Sequence, residues 1–322
     1  MKILIYNSGG GLGDSIQLFD LIFTLKEKFG EDSLYYLTSH KNHYNGALRE
    51  YNLSVKELKH DTIYFGFRWR HLLNSKKKIL KKNLIDKFDL IIDLQSKLRN
   101  TLILKQFPNN NFYSSTFNFK FCSKNRSFIS KKNDTKNLIS NIEKLIETQI
   151  PNKKYSLSKI ENKFFDEAKK LLPNQNYVGF SITQGNEYRK KSWPLIKFIN
   201  IAKKISKNNK VPVFLIEKNN EELIGKIKKE VENALFPELD STLTGPPLVS
   251  ALSLRLEKVV SIDNGIMHMV GLANIPMIVL FGPTNSKKFA PKIDKIDILD
   301  SKLIYNSDDI SKITEDDVLN LI

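Results

Sequence analysis

Short unbroken apolar runs alternate along this chain with stretches where apolar residues return every three or four positions. The runs read as strands buried on both faces, and the stretches as amphipathic helices. In the first half, strands are expected at 2–6, 33–38, 61–65 and 88–93, with helices near 14–29, 75–87, 96–106 and 135–148. From Ile150 to Asn176 the chain turns polar, with Pro151 and Pro173 around one helix near 160–172. The strand rhythm then restarts with "YVGFSI" (177–182), "VPVFLI" (211–216), "KVVSI" (258–262) and "PMIVLF" (276–281). Helices near 195–206, 220–233, 248–256 and 266–273 separate these strands. Such alternation predicts an α/β protein with parallel sheets. The polar stretch divides it into two doubly wound domains, 1–152 and 153–322.

Composition narrows the class. The 322 residues exceed one ordinary core and suit two domains. The lone cysteine, Cys122, excludes an internal disulfide or a cysteine zinc site and fits a reducing cytoplasm. "MKILIYN" is too short for a signal-peptide core, and "IPMIVLF" falls far short of the ~20 residues that span a bilayer. The net charge of +16 points to an anionic partner, yet only seven of 51 basic residues are arginine. A lysine-rich coding bias with solvated faces, as in "KKILKK" (77–82) and "SKKND" (130–134), competes with that reading. No nucleic-acid module is present, so no nucleic-acid partner is expected.

Ligands of doubly wound sheets bind beyond the carboxyl ends of the strands, so the chemistry should lie just after each apolar run. The first run ends in "NSGGGLGDSI" (7–16). Glycines in a strand-to-helix turn permit positive φ or close approach of another molecule, and the helix start offers free N–H groups. The dinucleotide pattern G-x-G-x-x-G is met by Gly9 and Gly11 but broken by Asp14, which counts against a dehydrogenase. Asp14 is left as a helix cap or a chemical group. After 88–93 come Asp93, Gln95, Ser96 and Arg99. After 177–182 come Thr183, Lys190, Lys191 and Trp193-Pro194. After 258–262 come Asp263, Asn264, Gly265 and His268, and after 276–281 comes "GPTN". Glu217 and Glu221, after "VPVFLI", are candidates for ribose hydroxyls. Metalloprotease, Walker A and nucleophile-elbow motifs are absent, as is a D-x-D after a strand.

"GLGDSIQLFDL", "DLQSKLR", "KKSWP" and "SIDNGIMHMVGLANIPMIVLFGPTN" together resemble glycosyltransferase family 9, the ADP-heptose:lipopolysaccharide heptosyltransferases. The resemblance implies a GT-B fold, two Rossmann-like domains facing a cleft. It implies inverting transfer of a heptose from an ADP-sugar to a lipid A–Kdo or inner-core acceptor, with no metal and no other cofactor. By motif, Asp14 matches the general base, Lys191 the lysine that meets the donor diphosphate, and Asp263 the acid that holds the donor sugar. Gly265 and His268 match the diphosphate turn and helix, while Asn264 stands where the family has Thr. Thr183, Glu217 and Glu221 are assigned with them to the donor. Gly11, Gly13, Gln95 and Arg99 are assigned to the acceptor, with variable loops around 40–75 and 107–134. An anionic lipid-linked acceptor implies a cytoplasmic protein docked on the inner membrane face, through "RWRHLLNSKKKILKK" (68–82) with Trp69 and Leu72-Leu73 entering the interface. Two alternatives stay open: transfer of another nucleotide-activated sugar in surface polysaccharide synthesis, and a non-catalytic nucleotide-sugar-binding partner.

Overall fold

The computed structural model describes residues 1–38, 41–58, 66–124, 135–185 and 187–322. The chain forms two compact units, Met1–Tyr155 and Ser156–Ile322. The first ends after Tyr155 because residues 153–155 are tied to the helix Phe19–Phe29. Tyr155 N–H donates to Asp20 Oδ1 at 2.8 Å, and Thr24 Oγ1 donates to the Lys153 carbonyl at 2.8 Å.

Unit 1 is built on β1 (Ile3–Asn7), β2 (Leu34–Thr38), β3 (Lys56–Glu57), β4 (Phe88–Asp93) and β5 (Asn109–Ser114). The spatial order is β3-β2-β1-β4-β5, with every pairing parallel. In unit 2, β6 (Tyr177–Ser181), β7 (Val211–Phe214), β8 (Lys258–Ile262), β9 (Met277–Phe281) and β10 (Ile296–Asp300) lie in the order β10-β9-β8-β6-β7, again all parallel. Central strands β1, β6 and β9 are buried along their whole length, as helices on both faces require. The unit 1 core gathers Tyr6, Phe67, Phe88 and Phe112, and the unit 2 core Phe180, Phe198, Phe214 and Phe236.

Several expectations are corrected. The expected strand 61–65 lies outside the described residues. β3, β5 and β10 were not expected: β5 opens on "NNN", β3 is two exposed residues, and β10 is a part-exposed edge carrying Asp297 and Asp300. The expected helix 14–29 is two helices, Leu12–Ile16 and Phe19–Phe29. The helix expected to 87 stops at Asn83, because Leu84 takes the left-handed conformation at φ 52°. Part of the expected loop 107–134 is the strand β5, and 125–134, including "SKKND", lies outside the described residues.

Candidate functional site

In unit 1 the carboxyl ends of β1 and β4 converge on one polar network. Asn7, the last residue of β1, accepts Gly9 N–H at 3.0 Å and Gln95 Nε2 at 2.9 Å on the same Oδ1. Gln95 N–H in turn donates to Asp93 Oδ1 at 2.9 Å. Asp93 is buried and also accepts from Thr101 and Ser114 hydroxyls at 2.6 and 2.9 Å. Burial pushes its carboxyl up to about 6, against the lowering effect of those three donors.

Above this network the glycine turn holds Asp14. The helix cap is Gly11, not Asp14: Asp14 sits in the first turn, and its Oδ2 accepts Gly11 N–H at 3.2 Å. The glycines are needed for space, not for positive φ. Gly11 has φ −85°, and the positive-φ glycines of unit 1 are Gly30 and Gly66. A Cβ on Gly9 would lie 3.0 Å from both Asn7 Oδ1 and Asp14 Cγ, and one on Gly11 3.1 Å from Asp14 Oδ2. Gly13 is inside the helix, its carbonyl accepting Gln17 N–H at 3.1 Å. His43 Nε2 contacts the Gly10 carbonyl at 3.2 Å and Tyr44 Oη donates to the Ser15 carbonyl at 2.6 Å, so residues 43–44 brace the turn. Arg99 stands in the first turn of Leu98–Lys105, and its Nε is buried without a hydrogen-bond partner among the described residues. Its charge, with those of Arg70, Arg68 and Lys78, adds to burial in holding His71 below the usual imidazole range.

In unit 2 the ends of β6 and β8 meet. Lys191 Nζ lies 2.5 Å from Asp263 Oδ2 and 3.3 Å from the Asp263 carbonyl. Both side chains are mostly buried, at 12% and 7% exposure, so the pair is shielded from water. Lys191 N–H donates to Gln184 Oε1 at 2.9 Å, fixing the approach of its side chain. Asn264 caps the helix Gly265–Leu272, accepting Met267 N–H at 2.9 Å. Its Nδ2 donates to Ser181 Oγ at 2.7 Å and to the Thr183 carbonyl at 2.8 Å. The Asn264 side chain thereby joins β6 to β8, and its oxygen and both N–H groups are all engaged. Thr183 enters through its backbone. Nothing lies within 4 Å of a Cβ built on Gly265, so there is open space on that side of the helix start. His268 is buried one turn further along. Trp193 is structural: it is 3% exposed, and its Nε1 donates to the Ile313 carbonyl at 3.0 Å.

Glu217 and Glu221 are both exposed, the latter at the start of the helix Glu221–Glu230. They are not joined to Lys191 or Asp263 by any hydrogen bond. Beside Glu217 the structure places Glu238, which sequence reasoning missed: it is 7% exposed, and its Oε1 has no hydrogen-bond partner among the described residues. "FPELD" reads as an ordinary acidic helix start after a proline, so nothing in the sequence marked it. Asn7 carried a usable signal, as a polar residue closing a wholly apolar strand against the glycines. His43 and Tyr44 carried none, since they reach the turn only through folding. Among the described residues no group of three or more His, Cys, Asp or Glu side chains is placed to hold a metal ion.

The sequence profile of glycosyltransferase family 9 (heptosyltransferase) matches residues 78–315. No curated protein matches the chain in sequence. Among solved structures, the glycosyl transferase family 9 protein from Veillonella parvula aligns at TM-score 0.69 and 18% identity, covering 99% of this chain and 95% of its own. The E. coli heptosyltransferase WaaC with ADP aligns at TM-score 0.64 and 13% identity, covering 99% and 98%. E. coli ADP-heptose lps heptosyltransferase II aligns at 0.60 and 14%, covering 99% and 97%. These likenesses show the GT-B fold, with its two Rossmann-like units.

Proposed function

We propose that this chain, which belongs to glycosyltransferase family 9, transfers a heptose from an ADP-sugar to an anionic lipid-linked saccharide of the lipopolysaccharide core. The observation that carries the reading is the shielded Lys191–Asp263 pair beside the start of the helix Gly265–Leu272, with open space on the Cβ side of Gly265. A cation and a row of N–H groups at one strand end are what a diphosphate leaving group needs. The neighbouring WaaC, crystallised with ADP and with ADP-2-deoxy-2-fluoro heptose, supports an ADP-sugar as the donor class.

Roles follow from the chemistry of inverting transfer. The acceptor oxygen forms a bond to the anomeric carbon as the bond to the ADP oxygen breaks, and the hydroxyl proton goes to Asp14. Its engaged Oδ2 holds the carboxylate over the glycine turn. Negative charge arriving on ADP is met by Lys191 and the N–H groups at 265. Asp263 orients Lys191 and offers its carboxylate to the sugar hydroxyls. Arg99, with its unpartnered Nε, and Gln95 take the anionic acceptor. Of the two ribose candidates Glu217 is taken over Glu221, since it stands three residues after β7 and close to Glu238. Because lysine and helix N–H groups cover the diphosphate charge, no metal or other cofactor is needed. An acceptor of this kind places the protein in the cytoplasm, against the inner membrane.

The test is transfer from ADP-heptose to a Kdo-lipid A acceptor, followed by mass spectrometry for product and NMR for the new anomeric centre, with and without EDTA. Product of the β-to-α or α-to-β inverted configuration, formed equally in EDTA, is the expected result. Transfer only from another nucleotide-sugar would replace the donor, and dependence on Mg²⁺ would remove the role given to Lys191.

A further inference from the structure

The carboxyl edge of the unit 2 sheet carries chemistry at consecutive positions. Asp263 and Asn264 follow β8, with Lys191 Nζ drawn onto Asp263; Thr183 follows β6, and Glu217 stands three residues after β7. β8, β6 and β7 are neighbours in that order. One further position exists. Leu235 bridges Val213 in parallel, its N–H donates to the Pro212 carbonyl at 2.9 Å, and Phe214 N–H donates to the Leu235 carbonyl at 2.8 Å. Residues 234–236 thus act as a short strand outside β7. Glu238 lies three residues past that bridge, in the helix Pro237–Asp240.

Strands stand about 4.8 Å apart, so the Lys191–Asp263 pair at the end of β8 lies two steps from the end of β7, and the 234–236 segment lies one step beyond β7. A nucleotide-sugar with its diphosphate at Lys191 and its ribose at Glu217 therefore brings its base to the end of the 234–236 segment. Glu238 occupies that place, and it needs a partner. A buried carboxyl oxygen without a hydrogen bond is costly, and native proteins seldom leave one so. Neither neighbour satisfies it. Glu217 carries the wrong charge, and Lys218 spends its Nζ on the Ser241 carbonyl at 2.6 Å. Burial and the Glu217 charge push the Glu238 carboxyl up to about 7.

We propose that Glu238 is a specificity-determining residue for the donor, its Oε1 accepting an N–H from the exocyclic amine of the nucleobase. A bound amine donor favours the ionised carboxyl, whose oxygens accept only. Adenine, guanine and cytosine present an exocyclic amine, and uracil presents carbonyl oxygens instead. The inference rests on the reading of unit 2 as the donor-binding unit, and it extends that reading from the diphosphate to the base.

The test is calorimetric titration of the full chain with ADP, GDP, CDP, UDP and purine riboside 5′-diphosphate, which has the purine ring without the amine. Wild type is expected to bind ADP about 10- to 100-fold more tightly than the des-amino analogue, the scale of a hydrogen bond to a charged group. Glu238→Ala and Glu238→Leu should bind both equally, at the weaker level. Their melting temperatures should equal or exceed wild type, because an unsatisfied buried acid is removed. A variant that melts lower and keeps the discrimination against the des-amino analogue would make Glu238 structural and overturn the inference. ADP binding indifferent to Glu238 would also overturn it, while leaving the ADP donor standing. Preference for GDP or CDP, lost in both variants, would keep Glu238 as the base reader and overturn the ADP donor. Preference for UDP, or binding of none of the five, would overturn both.

Discussion

At the scale of the residue, Asp14 makes a structural bond and is proposed here as the general base, and the two separate by substitution. Asparagine keeps an oxygen for Gly11 N–H, so the start of Leu12–Ile16 survives. It cannot take a proton. Asp14→Asn should lower kcat about 10²- to 10⁴-fold with unchanged melting temperature and unchanged ADP affinity, read by a coupled assay and calorimetry. Gly9→Ala tests the same geometry from outside. Its Cβ would sit 3.0 Å from Asp14 Cγ, so the carboxylate must move, and kcat should fall while the nucleotide still binds unit 2. Glu238 supplies a pH signature. Its carboxyl is raised to about 7 when folded, from an ordinary value of 4.5, so the folded chain holds a proton there that the unfolded chain releases. The associated stability is complete below about pH 4.5 and lost as pH rises to about 7. Urea melts from pH 4.5 to 8 should therefore show wild type losing on the order of 3 kcal/mol relative to Glu238→Gln. Parallel curves would mean that Glu238 stays ionised in the fold.

At the scale of the element, the most informative side chain is Asn264. It closes the helix Gly265–Leu272, and it holds Ser181 and Thr183, across the β6–β8 seam. Asn264→Ala removes a helix cap and two partly buried hydrogen bonds, a loss of about 2–3 kcal/mol. It should also weaken ADP binding, because the N–H row at 265 and Lys191 lose their common support. Asn264→Thr, which can still cap, should recover part of both. If ADP affinity were unaffected in the alanine variant, the helix N-terminus would have no part in holding the diphosphate. Legibility of the elements follows burial. β1, β4, β8 and β9 were readable because strands covered on both faces carry an unbroken run of apolar residues. β5 was not, because its first three residues are asparagines whose pairing with β4 depends on the sheet. Lys191 and Asp263 stood out at strand ends as charged residues, yet their 2.5 Å pairing joins positions 72 residues apart and no spacing announces it. Glu238 was invisible for a related reason: burial of an acid is a property of the fold around it.

At the scale of the whole molecule, the +16 charge asks for an anionic counterpart. No helix among the described residues is long and apolar enough to cross a membrane, and the contact expected from the sequence is docking on a bilayer surface. The face around the helix Ser75–Asn83 has the composition for it. Lys76, Lys77, Lys78 and Lys81 are exposed, and Trp69, Leu73 and Leu84 are 55%, 86% and 90% exposed beside them in the chain. Leu72 does not belong to that set, since it packs on the unit 1 core. Composition bias explains the lysines but not three large apolar side chains left in water next to them. His71 is held below the usual imidazole range by burial first, and then by the positive charges of Arg70, Arg68, Arg99 and Lys78 around it. Each such cation is worth about 1 kcal/mol near an anionic leaflet, so replacing Lys76, Lys77 and Lys78 by Ser should weaken binding to phosphatidylglycerol vesicles by up to about 100-fold. A matched variant, Lys207, Lys228 and Lys229 to Ser on unit 2, removes the same charge elsewhere and should bind nearly as wild type. Trp69→Ser with Leu73→Ser should weaken binding without changing its salt dependence, whereas the lysine variant should flatten it. If the two triple-lysine variants lost binding equally in co-sedimentation, net charge alone would be at work, and the face around 69–84 would be an ordinary solvated surface.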